Sequence, residues 1–446
     1  MSDKRPKIIV LDDDPTGSQT VHSCLLLMRW DVETLRLGLR DNAPIFFILT
    51  NTRALTPENA ESVTREVCHN LKEAIEAEGI EDFLVVSRSD STLRGHYPIE
   101  TDTIAEELGG FDAHFLIPAF FEGGRITKDS VHYLIIDGIP TPVHETEFAR
   151  DSVFAYHYSY LPDYVGEKTK GKIKAAEVER FLLDDIRGGS LERLQKLENN
   201  QCCVVDGEVQ ADLDRFASDL LTAASAGKRF LFRSAASILT SLANLGPQPI
   251  AATEMGQYKP TDKGGAIVVG SHVKKTTQQL AALLEQPNTV GVEIDVTRLR
   301  DHPDSRDELL AQILKKVKDI HEKGQTPVIY TSRQELTFDT VEERLDFGIA
   351  VSALLMDIVK GLPKDIGFLI SKGGITSNDV LSTGLNLRSA RLLGQILPGV
   401  SMVRTGADHP LFPNLPVVLF PGNVGDATGL ATVYRRLDSV GAGKRE

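Results

Sequence analysis

Lys7–Asp12 reads KIIVLD and runs directly into Asp13-Asp14-Pro15-Thr16-Gly17. Four consecutive apolar residues with no polar alternation describe a strand buried on both faces, which is the habit of parallel sheets. The same pattern returns in Ile45–Thr50 (IFFILT), Phe83–Ser87 (FLVVS) and Ala113–Ile117 (AHFLI). Between the second and third runs, Pro57–Gly79 reads as a helix that opens on Pro and closes on Gly. After a stretch that is harder to parse, about Asp151–Leu245, a second series begins at Ala266–Val269 (AIVV) and a helix through Leu284. It continues through Val290–Ile294, a helix around Arg306–Lys323, Pro327–Tyr330, a helix over Val341–Lys360, Gly367–Ile370 and Val417–Phe420. The segment Gly246–Gly265, with Pro247, Pro249 and Pro260, lacks periodicity and reads as a linker. The expected fold class is α/β: two α/β domains, residues 1–250 and 262–446, each with a largely parallel sheet. The active site is expected in the interdomain cleft.

Composition narrows the partners. The chain has 446 residues, 49 basic and 63 acidic, for a net charge of −14. Nucleic-acid and membrane-surface binders need clustered positive charge, so neither partner is expected. Four cysteines (Cys24, Cys68, Cys202, Cys203) make no disulfide framework and no C-x-x-C spacing. The N-terminus lacks a signal-peptide core, and no apolar run approaches the length of a membrane span, so a cytoplasmic location is expected.

In an open parallel sheet, ligands bind beyond the carboxyl ends of the strands. Those ends carry Asp12-Asp13-Asp14 after the first strand and Asn51-Thr52-Arg53 after the second. Ser87-Arg88-Ser89-Asp90-Ser91-Thr92-Leu93-Arg94-Gly95-His96 follows the third, and Phe120-Phe121-Glu122-Gly123-Gly124-Arg125 comes shortly after the fourth. Guanidinium forks suit a carboxylate or phosphate, and carboxylates suit polyol hydroxyls or a hydroxyl that must lose its proton. Together they describe a pocket for a small polyhydroxy acid. The second domain offers Gly270-Ser271, Thr331-Ser332-Arg333, Ser371-Lys372-Gly373-Gly374-Ile375-Thr376 and Pro421-Gly422-Asn423-Val424-Gly425 after its strands. Glycines at strand-to-helix turns let backbone N–H groups approach phosphate oxygens, which points to a nucleotide.

Several motifs come close and fail. Gly166–Lys172 fits G-x-x-x-x-G-K, but Ile173 stands where Ser or Thr must bind magnesium, so the segment reads as a solvated lysine-rich stretch. The aromatic stretch Val153–Tyr160 reads mainly as core packing. Neither paired metal-ligand histidines nor a G-x-S-x-G elbow occurs. Asp12-x-Asp14-x-Thr16 resembles the D-x-D-x-T of haloacid-dehalogenase phosphatases, whose first Asp is phosphorylated. Its later acidic pair is missing, Gly425-Asp426 coming closest. A phosphatase using Asp12 is kept as an alternative.

The set of motifs as a whole resembles the four-carbon acid sugar kinase family. The resemblance rests on Asp12–Gly17, Asp90-Ser91-Thr92-Leu93-Arg94-Gly95, Pro118-Ala119-Phe120 with Gly124-Arg125-Ile126-Thr127, and Gly270-Ser271. Gly373-Gly374-Ile375-Thr376, Leu397-Pro398-Gly399-Val400 and Pro421–Gly425 continue it. It implies a sugar-acid-binding N-terminal domain, an ATP-binding C-terminal domain, and ATP-dependent phosphorylation of a small sugar acid such as threonate, erythronate or a 3-oxo relative. On this reading Asp12, Asp13, Arg53, Arg88, Asp90, Ser91, Thr92, Arg94 and Arg125 meet the sugar acid. Arg53 and Arg94 hold its carboxylate, and Asp13 or Asp90 takes the proton. Ser271, Thr331, Ser332, Gly373, Gly374, Ile375, Thr376, Gly422, Asn423 and Gly425 meet ATP, with Mg2+ bridging its phosphates. The sugar acid and ATP are the expected partners, and a homodimer is left open.

Three positions depart from the family pattern. Phe420 stands where many relatives carry Lys before the last Gly-rich turn, Ser130 replaces a Gly, and Ser87–Asp90 is richer in Arg. Phe420 also gives footing to a second alternative, a non-catalytic module that binds nucleotide and sugar acid.

Overall fold

The computed structural model describes residues 5–271, 273–333, 336–338 and 340–438. The outer ends of the two expected domains, residues 1–4 and 439–446, lie outside the described residues. The chain divides into two compact units, Met1–Pro247 and Gln248–Glu446.

The first unit is built on β1 (Lys7–Asp12), β2 (Leu25–Leu27), β3 (Ile45–Leu49), β4 (Phe83–Arg88) and β5 (Ala113–Ile117). A side meander follows, β6 (Arg125–Lys128), β7 (Val131–Ile136) and β8 (Ile139–Pro142), and then β9 (Glu179–Phe181), β10 (Gln201–Val205) and β11 (Phe230–Ser234). The main sheet runs β2-β3-β1-β4-β11-β5-β10-β9. All its neighbouring strands are parallel. Its carboxyl ends therefore open on one edge. The chain builds β2 and β3 on one side of β1 and β4 on the other, so β1 sits at a topological switch point, where a crevice forms. Helix Pro57–Glu78 covers one face. Thr56 caps its start by accepting from Asn59 N, and Gly79 ends it at φ +61°. Its Val67, Cys68, Leu71 and Ile75 bury against Ile9, Phe46 and Val85. Each large side chain so buried contributes about 1.5–3 kcal/mol.

The second unit contributes β12 (Ala266–Val269), β13 (Thr289–Ile294), β14 (Thr326–Thr331), β15 (Leu369–Lys372), β16 (Ser389–Leu397), β17 (Val400–Arg404) and β18 (Pro416–Phe420). Their order is β13-β14-β12-β15-β18-β17-β16. The first five are parallel, and β17 and β16 extend the sheet antiparallel. The switch point lies between β12 and β15.

The segment read as a linker is folded onto this second unit. Met255 is buried in its core, and the Gln248 amide bonds both the O and N of Gln395, at 3.1 and 2.9 Å. Its 3-10 turn, Ala252–Tyr258, is too short to show helical periodicity in sequence. Among the described residues, no helix is long and apolar enough to cross a membrane.

Candidate functional site

The switch point of the first unit gathers the acidic loop and three arginines. Asp13, buried at the end of β1, accepts from Arg53 on both carboxylate oxygens, with Nε at 3.1 Å from Oδ2. The Ser89 hydroxyl donates to the same Oδ2 at 2.5 Å. Arg53 also lies 3.4 Å from Asp14 and 4.0 Å from Asp90. Asp90 accepts from Arg94 Nε at 2.7 Å and from the Thr92 hydroxyl, all on Oδ2. Burial raises the Asp90 pKa, but Arg94 and Arg53 outweigh it and hold the carboxyl well below the usual range. Its Oδ1 takes no hydrogen bond among the described residues, and its side chain keeps 13% exposure against 1% for Asp13. Arg94 reaches Asp151 at 3.6 Å and stacks over Phe148. Arg125 pairs with no carboxylate among the described residues. One of its Nη groups donates to Gly123 O, Nε has no partner, and burial lowers its pKa.

Asp12 lies beneath this layer. Its side chain is 0% exposed and its Oδ2 lacks a partner, while Arg88 approaches Oδ1 at 3.5 Å. A Cβ on Gly17 would overlap the carboxylate, so only glycine can close the loop over it. Burial pushes the carboxyl up to about 8, with Arg88 opposing and Asp13 and Asp14 assisting. The phosphatase alternative needs this group as an accessible nucleophile. The described residues also hold no group of three or more His, Cys, Asp or Glu that could bind a metal.

The Asp90–Gly95 loop is held from below by the middle of the chain. Tyr156 donates to Thr92 O at 2.7 Å and Tyr164 to Leu93 O at 2.8 Å. His132 Nε2 donates to Ser91 O at 2.8 Å and Nδ1 accepts from Thr127 at 2.9 Å. Burial keeps this imidazole neutral, with its pKa near 4. The aromatic stretch Val153–Tyr160 is thus split. Phe154 and Tyr156 are buried, and Val153 and Tyr158 are exposed. Ser130 adopts φ +64°, the left-handed conformation that glycine takes without strain. Asp206 accepts from the Asp129 and Ser130 amides at 2.8 Å, and Arg180 donates to the Ser130 hydroxyl at 2.9 Å.

In the second unit a cavity of about 560 Å³ opens at the switch point, a size that suits a nucleotide. Its lining combines a polar, glycine-rich set, Gly270, Ser271, Gly373, Gly374, Thr376 and Gly422, with an apolar set, Val296, Phe338, Phe347, Val351, Leu355 and Met356. Thr331, Ser332 and Ile375 also line it. Asn423 and Gly425 are not part of the lining. Asn423 O accepts from Lys275 at 3.1 Å, and Gly425 turns at φ +79°. Glycine at 270 is required because a Cβ there would run into the Thr376 hydroxyl. The mix of glycine turns, hydroxyls and apolar side chains is chemistry that fits a nucleotide.

Two family models match the chain. A sugar-binding N-terminal domain covers residues 8–242, and a nucleotide-binding C-terminal domain covers residues 266–430. The chain belongs to the four-carbon acid sugar kinase family. A relative of the family, D-erythronate kinase of Heliobacterium modesticaldum, is 24% identical over 453 residues, covering 95% of each chain. Among solved structures, a Salmonella typhimurium LT2 protein described as a tRNA synthase superposes with TM-score 0.69 at 18% identity. The match covers 96% of this chain and 98% of that one. A Haemophilus influenzae protein gives TM-score 0.65 at 17% identity, over 96% and 100%. At such identities the two structures speak for the fold.

Within this family framework, two residues to which the sequence reading gave no role stand out. Arg233, at the end of β11, is fully engaged below the loop. It donates to Glu100 at 2.6 Å, Ser87 at 3.0 Å and Ser89 at 2.6 Å. Its only trace in sequence is a lone Arg in the apolar run FLFRS. Lys372 ends β15 directly opposite Phe420 in the parallel register. A lysine closing the buried strand Leu369–Lys372 is the signal that was available for it.

Proposed function

We propose that this protein is an ATP-dependent kinase that phosphorylates a hydroxyl of a four-carbon sugar acid, D-erythronate being the first candidate. The observation that carries the reading is one chain bearing both an Arg- and Asp-rich strand edge and a glycine-lined cavity of nucleotide size. The full-length similarity to a D-erythronate kinase supports the substrate class.

The side-chain pairing favours particular roles. Asp13 is occupied on both oxygens and serves to fix Arg53. Among the described residues, Asp90 Oδ1 takes no hydrogen bond and faces only Arg53, at 4.0 Å, which makes Asp90 the better acceptor for the substrate hydroxyl proton. Arg53 is engaged by Asp13 and Asp14, so the substrate carboxylate falls to Arg125, with Arg94 beside it. As the hydroxyl oxygen bonds to the γ-phosphorus, the bond to the β-phosphate oxygen breaks, ADP departs and Asp90 receives the proton. Such a transition state is loose, so positioning and charge neutralisation carry most of the rate. Mg2+ would supply part of that neutralisation, held chiefly by phosphate oxygens and water, since the described residues gather no metal-binding cluster. Transfer requires the two binding surfaces to meet during turnover.

The test is ADP release over a panel of C4 and branched C5 sugar acids. D90N should lower kcat by about 10²–10⁴, and R125A should act mainly through KM. Absence of ATP consumption with every acid, or full activity of D90N and R125A together, would remove the assignment.

A further inference from the structure

Lys372 is 0% exposed, and among the described residues no carboxylate pairs with it. Its Nζ donates to Pro421 O at 2.5 Å and to Gly422 O at 3.2 Å, and it sits 4.2 Å over the Phe420 ring. In a planar trans peptide, C=O and N–H point in opposite directions. Pinning these two carbonyls therefore turns the Gly422 and Asn423 N–H groups away from the lysine. Neither N–H finds an acceptor within the described residues, and Gly422 lines the cavity. A second ammonium, Lys275, binds the same turn at Asn423 O. Two lysine amines and two open amides with no carboxylate among them form a site suited to an anion.

We propose that Lys372 is the positioning residue for the nucleotide's terminal phosphates: from β15 it orients the Pro421–Gly425 turn as an anion cradle and supplies the charge that Phe420 cannot. This inference rests on the nucleotide reading above. It also bears on the non-catalytic alternative, because a lysine on the neighbouring strand removes the argument drawn from Phe420.

A consequence is measurable without any activity. Burial, and then the charge of Lys275, lower the Lys372 pKa to about 7. The groups around it offer little else that titrates. The turn Pro421–Gly425 has no ionisable side chain, Asp426 is engaged by Thr428, and Asp379 accepts from Ser352. An arriving phosphate favours the ammonium form, so binding should draw a proton onto Lys372.

Calorimetry of ADP and of adenosine, in buffers of different ionisation enthalpy between pH 6.5 and 8.5, tests this. Wild type should take up more protons on binding ADP than K372M does, with no such difference for adenosine. K372M should bind ADP about 10–100-fold more weakly and adenosine unchanged, which also reports an intact fold. K372R, which keeps the charge without titrating, should retain ADP affinity within a few fold and lose the extra uptake. Equal ADP affinity in wild type and K372M, or equal proton counts in wild type and K372R, overturns the assignment. Should wild type bind neither ADP nor adenosine, the nucleotide reading itself falls, and this inference with it.

Discussion

Asp12 shows how far one side chain can be pushed by its surroundings. The folded protein holds its proton up to about pH 8, whereas an ordinary Asp carboxyl loses it near 3.8. Between those values the unfolded chain binds fewer protons than the native one, so this group makes stability fall as pH rises. Below pH 4 both states are protonated and the effect vanishes. D12N, neutral throughout, should melt close to wild type near pH 4 and several °C above it at pH 8. Thermal melts at the two pH values check this, and a gap that does not widen with pH would refute it. Arg88 reads differently. Its Nε is buried without a partner, while its Nη1 faces Asp12 at 3.5 Å and Asp13 at 4.0 Å.

At the scale of elements, the Ser89–Gly95 loop is the most constrained piece of the site. Gly95 sits at φ +123°, and a Cβ there would come within 2.5 Å of Arg233 Nη2 and closer still to Ser89 Oγ. G95A should therefore cost about 2–4 kcal/mol through strain and a displaced buried ion pair. Y156F, which removes one donor to the loop, should cost about 1 kcal/mol. Denaturant titrations of both variants give the ranking, and a silent G95A would contradict the packing. The loop's acids and arginines were legible in sequence because each follows a buried parallel strand, an apolar run such as KIIVLD or FLVVS. What holds them was not. Arg233 acts through a strand that arrives 142 residues after β4 ends, and Tyr156 lies in a run of alternating aromatics, Phe154 to Tyr160, whose period does not tell the buried Tyr156 from the exposed Tyr158. The second sheet shows the same limit. β16 pairs antiparallel with two register irregularities, so SARLLGQIL gives neither alternation nor a continuous apolar run.

For the molecule as a whole, each unit has its own buried core and its own binding edge. Ligands should therefore protect different parts of the chain. In hydrogen exchange, ADP should slow residues 369–379 and 416–425, and a sugar acid should slow residues 88–95 and 122–127. Protection by ADP confined to the first unit would reverse the assignment of the units. The order of the first sheet carries one more implication. β4 and β5 are joined only through β11, which lies between them and pairs with both. A nascent chain leaving the ribosome can assemble β2-β3-β1-β4 and β5-β10-β9 only as two separate halves. The site floor, with Arg233 in it, is therefore laid last, after some 234 residues have been translated, and a stalled or truncated product ending before that point would be unable to grip its substrate.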